Sequence, residues 1–141
     1  MSFWDSSALA GLCLSHESSP VLQKIFQTHP ASAVWWGSRT ECLSALARLR
    51  REGKLDEAGL ALTRVSLSAL LQQCDEIQPS EPLRLAADRA LLTHPLRAGD
   101  ALQLSAALHW CGQNPQGSGF VCLDRRLREA AGKEGFEVLP A

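Results

Sequence analysis

Four acidic residues stand at places in the sequence where carboxylates can act together. Asp5 follows the apolar start of the chain, and Asp124 follows the apolar run 120–123. Glu41 and Asp100 each lie at the beginning of a segment with helical spacing of apolar residues. Carboxylates that share one place raise each other's pKa unless a cation neutralises them. Oxygen ligands favour Mg²⁺ or Mn²⁺ over zinc, and these ions suit the hydrolysis of phosphodiester bonds.

The same four acids also have a purely structural interpretation. Asp100 and Asp124 are well placed as helix N-caps, and Glu41 stands three residues after Ser38, which is the spacing of a capping box. Asp5 fits this interpretation worst, because an acid within an apolar strand contributes little to a fold. The spacing alone leaves both interpretations open.

Short apolar segments alternate with helical stretches, and together these elements must position the acids. The pattern predicts strands at 1–5, 33–36, 75–78, 120–123 and 136–139, and helices at 8–14, 20–26, 39–51, 55–73, 82–93, 99–111 and 125–131. This alternation predicts an α/β fold in one domain, 1–141, with a mainly parallel sheet of four to five strands between two layers of helices. Ligands of such sheets bind beyond the carboxyl ends of the strands, where we expect the acids to lie.

Composition narrows the classes of function. The net charge is -1, so the chain lacks a broad electrostatic grip on nucleic acid, and any phosphate site must be local. The five cysteines are scattered without a metal-binding spacing, which favours reduced thiols. No signal sequence and no apolar run of about 20 residues is present, so we expect a cytoplasmic protein with no membrane segment.

The ordered set of motifs resembles the PIN-domain family, and in particular the VapC-like ribonuclease toxins. Residues 5–9 (Asp-Ser-Ser-Ala-Leu) resemble the opening motif, and Glu41 matches the second acid in spacing and context. Residues 96–107 are very similar to the third motif, the most specific of the set, and 120–127 resemble the fourth. The position two before the fourth acid is Cys122, where many relatives have Thr or Ser.

This resemblance implies a three-layer PIN-like nuclease domain. It implies an endoribonuclease that depends on Mg²⁺ or Mn²⁺, with Asp5, Glu41, Asp100 and Asp124 as the metal-binding and catalytic residues. It further implies the toxin of a VapBC-type toxin–antitoxin pair, bound by a cognate antitoxin protein. Small relatives of this kind usually form homodimers, which we also expect here.

Residues beside the acids are candidates for substrate contacts. A hydroxyl or backbone N–H at Ser7 can touch a phosphate, and Arg97 and Arg125 can hold one, as can Arg39 and Arg126. The alternative for the arginines is ordinary solvated charge. The four tryptophans are interpreted first as core or dimer-interface residues and second as surfaces on which RNA bases stack; they are Trp4, Trp35, Trp36 and Trp110.

Two other functions remain open at this stage. One is a phosphatase or phosphotransfer domain with Asp5 as nucleophile, although Ser7 stands where a DxD phosphatase has its second Asp. The other is a non-catalytic binding module with the same fold.

Overall fold

A computed structural model describes residues 1–14 and 19–141, in which strands and helices alternate as predicted. The strands of the described chain are β1 Ser2–Trp4, β2 Ser32–Trp35, β3 Asp75–Ile77, β4 Gly119–Val121 and β5 Glu137–Leu139. Its helices are α1 Ser6–Cys13, α2 Ser19–Thr28, α3 Ser38–Arg51, α4 Glu57–Leu71, α5 Glu81–Thr93, α6 Ala98–Trp110 and α7 Arg125–Glu134.

The five strands form one parallel sheet in the order β3-β2-β1-β4-β5. Parallel strands need crossover connections, and the helices between them supply these. Because the chain starts in the middle strand and moves outward in both directions, the order reverses beside β1. Ligands of open parallel sheets bind at such a reversal. The predicted fold class is confirmed.

The sheet lies between two layers of helices because successive side chains of a strand point to opposite faces. Phe3 and Phe120 are paired across β1 and β4 and pack with buried residues of α5, α6 and α7. Trp4 and Val34 face the other way and pack with buried residues of α1 to α4. All four side chains are fully buried, so both faces of the sheet are core.

The helix α4 shows a different face to the core than predicted. Helical spacing in the predicted segment 55–73 places Leu55, Ala58, Leu62, Val65 and Ala69 on one apolar stripe, which we expect to be buried. The structure instead buries Leu60, Thr63, Leu67 and Leu70, while Leu62 and Val65 are 71% and 69% exposed. Apolar residues occur on both sides of α4, so periodicity shows that the segment is helical without showing which side is buried.

Two predictions about helix starts were also wrong in detail. The capping box at α3 is absent, because Ser38 is already helical and its hydroxyl accepts a hydrogen bond from Gln103 Nε2 at 2.9 Å. Asp100 is the third residue of α6 rather than its N-cap, and its carboxylate accepts from the backbone N–H of Arg97 at 3.4 Å. Asp124 is an N-cap as predicted, accepting from Leu127 N–H at 2.9 Å.

None of the helices in the described residues is at once long and apolar enough to cross a membrane. All five cysteines are free thiols, as predicted.

Candidate active site

The sheet brings the four predicted acids to one edge. Asp5 and Asp124 follow the neighbouring parallel strands β1 and β4, and the Asp5 N–H donates to Val121 O at 3.1 Å. Glu41 lies in the first turn of α3, which follows β2, the strand on the other side of β1. Asp100 lies in the first turn of α6. The ends of β1 and β4 and the start of α3 share this edge, and Asp100 lies there too because it lines one cleft with Glu41 and Asp124.

Three of these acids line an open cleft of about 520 Å³, which we call the acidic cleft. Its walls are Glu41, Gly99, Asp100 and Asp124, together with the arginines Arg97, Arg125 and Arg126. Asp5 is 3% exposed and is not among the lining residues.

Asp5 is held firmly as the N-cap of α1. Its Oδ1 accepts from Ser7 Oγ at 2.8 Å and from Ala8 N–H at 3.2 Å, and its Oδ2 accepts from Ser7 N–H at 3.2 Å. Burial nevertheless raises the pKa of Asp5 to about 6, since these hydrogen bonds only partly offset the loss of solvent. The expectation that Asp5 contributes little to the fold was wrong, because it starts a helix.

The Ser7 hydroxyl connects the residues that follow β1 with those that follow β4. Besides donating to Asp5, it accepts from Leu123 N–H at 2.9 Å and lies 3.8 Å from Cys122 Sγ. The Asp124 N–H points to the same sulfur at 3.3 Å. Cys122 thus contacts both the Ser7 hydroxyl and the Asp124 N–H. These contacts make Ser7 a positioning residue, and its predicted contact to substrate stays a prediction.

Glu41 is positioned by a residue that the sequence did not single out. Its Oε2 accepts from Gln103 Nε2 at 2.5 Å, and the same Nε2 donates to Ser38 Oγ. Gln103 is 1% exposed and comes from α6, so it ties that helix to α3. The sequence does contain a sign of this role: Gln103 is a polar residue that lies between Ala101 and Leu104 on the apolar side of a helix.

Charge couples the acids that line the cleft. Burial raises the pKa of Glu41, the Gln103 hydrogen bond partly lowers it, and the charge of Asp100 raises it further. Burial also raises the pKa of Asp100, and the charge of Asp124 adds to that effect, while the hydrogen bond and charge of Arg97 oppose it. A bound cation would offset the repulsion between these carboxylates.

The donor set fits a hard divalent cation in chemistry and charge, since it consists of carboxylate oxygens alone. Within residues 1–14 and 19–141, no three acidic, histidine or cysteine side chains lie close enough together to hold an ion as they stand. Asp100 and Asp124 are the side chains with most freedom to adjust, because Asp100 is half-buried and Asp124 is exposed. Each is held by a single backbone hydrogen bond from the described residues.

The arginines at the cleft are accessible. Arg97, Arg125 and Arg126 are exposed, and Arg125 forms a surface ion pair with Glu129, at 3.3 Å. Surface pairs of this kind are weak and easily exchanged for another anion. Arg39, the other arginine proposed from the sequence, lies beside Leu43 and Arg64 and is not among the residues that line the cleft.

Comparison with known proteins supports the fold. No protein-family model matches the chain, and no curated protein sequence matches it. The chain is similar to the crystal structure of PAE2754 from Pyrobaculum aerophilum, with a TM-score of 0.69 and 18% identity over 98% of this chain and 88% of that one. At this identity the likeness shows the architecture alone, and the chain shares the three-layer α/β/α fold of that protein.

Proposed function

We propose that this chain is a metal-dependent endoribonuclease that uses Mg²⁺ or Mn²⁺. The observation that carries the proposal is the acidic cleft, in which three coupled carboxylates and three exposed arginines face one opening at the carboxyl edge of a parallel sheet. The ordered resemblance to PIN-domain motifs over nearly the whole chain supports the same conclusion.

Asp5, Glu41, Asp100 and Asp124 would hold the metal in this proposal. A bound divalent ion supplies positive charge that makes water a better nucleophile and stabilises the leaving oxygen of a phosphodiester. The protein's part is to keep the carboxylates in place: Ser7 and Ala8 hold Asp5, Gln103 holds Glu41, and the first turn of α6 holds Asp100.

The arginines would hold the substrate. A guanidinium donates two parallel hydrogen bonds to a phosphate and keeps its charge at every physiological pH. Arg97, Arg125 and Arg126 line the cleft together with the acids, so they can hold phosphates on either side of the scissile bond. The net charge of -1 makes such a local grip necessary, since the chain as a whole does not attract RNA.

The resemblance to VapC proteins extends the proposal to biology. In this view the chain is a cytoplasmic toxin whose activity is controlled by a cognate antitoxin protein, and it works as a homodimer. A basic side chain of the antitoxin would pair with the carboxylates that line the acidic cleft, Glu41, Asp100 and Asp124.

A non-catalytic binding module is the second candidate. It is favoured by one observation, that the described acids are not gathered within coordinating distance of one ion. A phosphatase with Asp5 as nucleophile is less suited, since Ser7 stands where a DxD phosphatase has its second Asp.

The test is cleavage of a structured RNA by the purified chain with Mg²⁺ or Mn²⁺, with and without chelator. Asp124→Asn removes a charge from the cleft but keeps a cap, because Asn caps a helix about as well as Asp. Asp56→Asn is the matched control, since Asp56 caps α4 in the same way but does not line the acidic cleft. We expect chelator-sensitive cleavage that Asp124→Asn abolishes and Asp56→Asn preserves. Absence of metal-supported cleavage by the unmodified chain would favour the binding module.

A further inference from the structure

A second pocket, of about 370 Å³, lies at the same edge of the sheet as the acidic cleft. We call it the tryptophan pocket; its lining includes Trp35, Trp36, Pro79, Glu81, Arg84 and Leu102. Trp35 ends β2 and Trp36 directly follows it, while Pro79 comes just after β3. The pocket thus lies beyond the carboxyl ends of the two strands at one side of the sheet.

The tryptophan pocket and the acidic cleft lie next to each other. They are at the ends of adjacent strands of the sheet, and two segments of the chain contribute residues to both. The strand order β3-β2-β1-β4 places the pocket over the first two strands and Asp5 and Asp124 after the next two. Parallel strands lie about 4.8 Å apart, so the end of β2, which carries the pocket, lies about that far from the end of β1. The segment 35–41 contributes to both sites, and so does 99–102, in which Asp100 lines the cleft and Leu102 the pocket.

Trp36 is exposed to an extent that the core does not explain. It is 53% exposed, whereas Trp4 and Trp35 are buried. The centre of its ring lies 6.3 Å from that of Trp35, with an angle of 73° between the planes, so the two rings meet edge to face and about half of Trp36 stays exposed. The Arg84 guanidinium at the pocket pairs with Glu81 at 2.6 Å, where both side chains are mostly exposed.

We infer that the tryptophan pocket binds an unpaired nucleobase of the RNA strand whose phosphates lie in the acidic cleft. Flat aromatic rings stack on bases of any sequence, and an arginine plane can add to that stack. A base within a duplex has no free face, so the pocket selects single-stranded loops or ends next to the cut. This inference rests on the proposed function, because it assigns the substrate of the same edge of the sheet.

The test measures binding of labelled deca-adenylate in the presence of chelator, so that binding is seen without cleavage. Trp36→Ala removes the stacking surface, and Trp36→Phe keeps an aromatic ring. An abasic ribose-phosphate decamer of equal length reports the backbone grip alone. Leu92→Ala is the surface control, because Leu92 is 90% exposed on α5 and does not line the pocket.

We expect Trp36→Ala to weaken deca-adenylate binding by about 5- to 100-fold, the usual effect of losing one stacked base. Trp36→Phe should lose less than Trp36→Ala, Leu92→Ala should bind as the unmodified chain does, and the abasic decamer should bind all variants equally. Equal deca-adenylate affinity of Trp36→Ala and the unmodified chain overturns the inference. An equal loss for the abasic decamer also overturns it, since Trp36 then acts on the backbone or the fold.

Cleavage of the same RNA with Mn²⁺, measured separately, distinguishes this inference from the proposed function. If the protein cleaves RNA but Trp36→Ala does not change its affinity, the proposed nuclease function holds and the base-binding site is wrong. If binding depends on the base and on Trp36 but no cleavage occurs, the base-binding site holds and the nuclease function is wrong.

Discussion

Gln103 Nε2 donates a hydrogen bond to Glu41 Oε2 at 2.5 Å across the contact between α6 and α3. The same side chain leaves its Oε1 buried without a hydrogen-bond partner in the described residues. A buried acceptor without a partner costs stability, so the position is not optimised for folding alone. We interpret Gln103 as a positioning residue that fixes the direction of the Glu41 carboxylate.

Gln103→Leu should therefore lower RNA cleavage about 10- to 100-fold, the usual effect of removing a group that supports a metal ligand. Mn²⁺ affinity, measured by calorimetry, should fall with it, while circular dichroism shows an intact fold. Ser105→Ala is the control on the same helix, because Ser105 is also buried, its hydroxyl has no hydrogen-bond partner among residues 1–14 and 19–141, and it does not line the cleft. Full activity of Gln103→Leu would show that its contact to Glu41 is only structural.

Gly99→Ala should lower RNA cleavage without lowering the stability of the fold. A Cβ at Gly99 would lie 2.7 Å from Glu41 Oε1, so the Glu41 carboxylate must move. Alanine favours a helix over glycine by up to about 1 kcal/mol, so thermal unfolding should show equal or greater stability. Cleavage and Mn²⁺ affinity should both decrease. A variant as active as the unmodified chain would argue against a fixed role for Glu41.

Asp100→Asn should abolish cleavage while the protein folds normally. Asn keeps an oxygen that can accept from Arg97 N–H, as Asp100 does at 3.4 Å, but it lacks the charge that a divalent ion requires. The metal-free variant should be slightly more stable, because one of the repelling carboxylates is gone. Because loss of a supporting group alone costs about 10- to 100-fold, loss of a ligand should cost at least roughly 100-fold. Undiminished, chelator-sensitive cleavage would remove Asp100 from the metal site.

The metal-free protein should lose stability as the pH rises from about 4 to above 6. Burial raises the pKa of Asp5 from 3.8 to about 6, so folding favours the protonated acid. The stabilisation that protonated Asp5 contributes is fully present below the pKa of the unfolded state. It is lost as the pH rises through the pKa of the folded state. The loss is about 3 kcal/mol, since one pKa unit corresponds to about 1.4 kcal/mol.

The measurement for this pH effect is urea unfolding in chelator at several pH values, compared with Asp5→Asn. The difference in unfolding free energy between the two proteins should shift in favour of Asp5→Asn as the pH rises. Mg²⁺ should restore stability to the unmodified chain at pH 7 and have little effect on Asp5→Asn. If the difference in unfolding free energy between the two proteins does not change with pH, burial does not raise the pKa of Asp5.

The predicted homodimer can be tested at α4. Leu62 and Val65 are the large apolar residues of this helix that are most exposed, and Val65 also lines a shallow groove with Ala61 and Ala69. Burying such side chains is the usual basis of a stable dimer. Light scattering at micromolar concentration should show a dimer, and Val65→Asp should convert it to a monomer. A monomer for the unmodified chain would contradict the prediction.

The sequence by itself determined the order and type of the elements, the parallel sheet and the edge at which the acids meet. These follow from local information: strands such as 120–123 are short apolar runs, helices show their period, and Asp124 marks a helix start. Parallel connection then places every strand end on one edge, so Asp5 and Asp124 were predicted to lie at the same edge, while the pairing of β1 with β4 came from the structure.

The tertiary structure decided which side of each helix is buried and which polar groups meet. Leu62 and Leu67 are both leucines of α4, yet only Leu67 is buried, in the cluster that contains Trp4 and Val34 of the sheet. The two positions lie on different sides of the helix, and the fold decides which side faces the sheet. The contact of Gln103 with Glu41 joins residues 62 positions apart. No local pattern encodes such a contact, because it exists only once α3 and α6 have packed at the edge of the sheet.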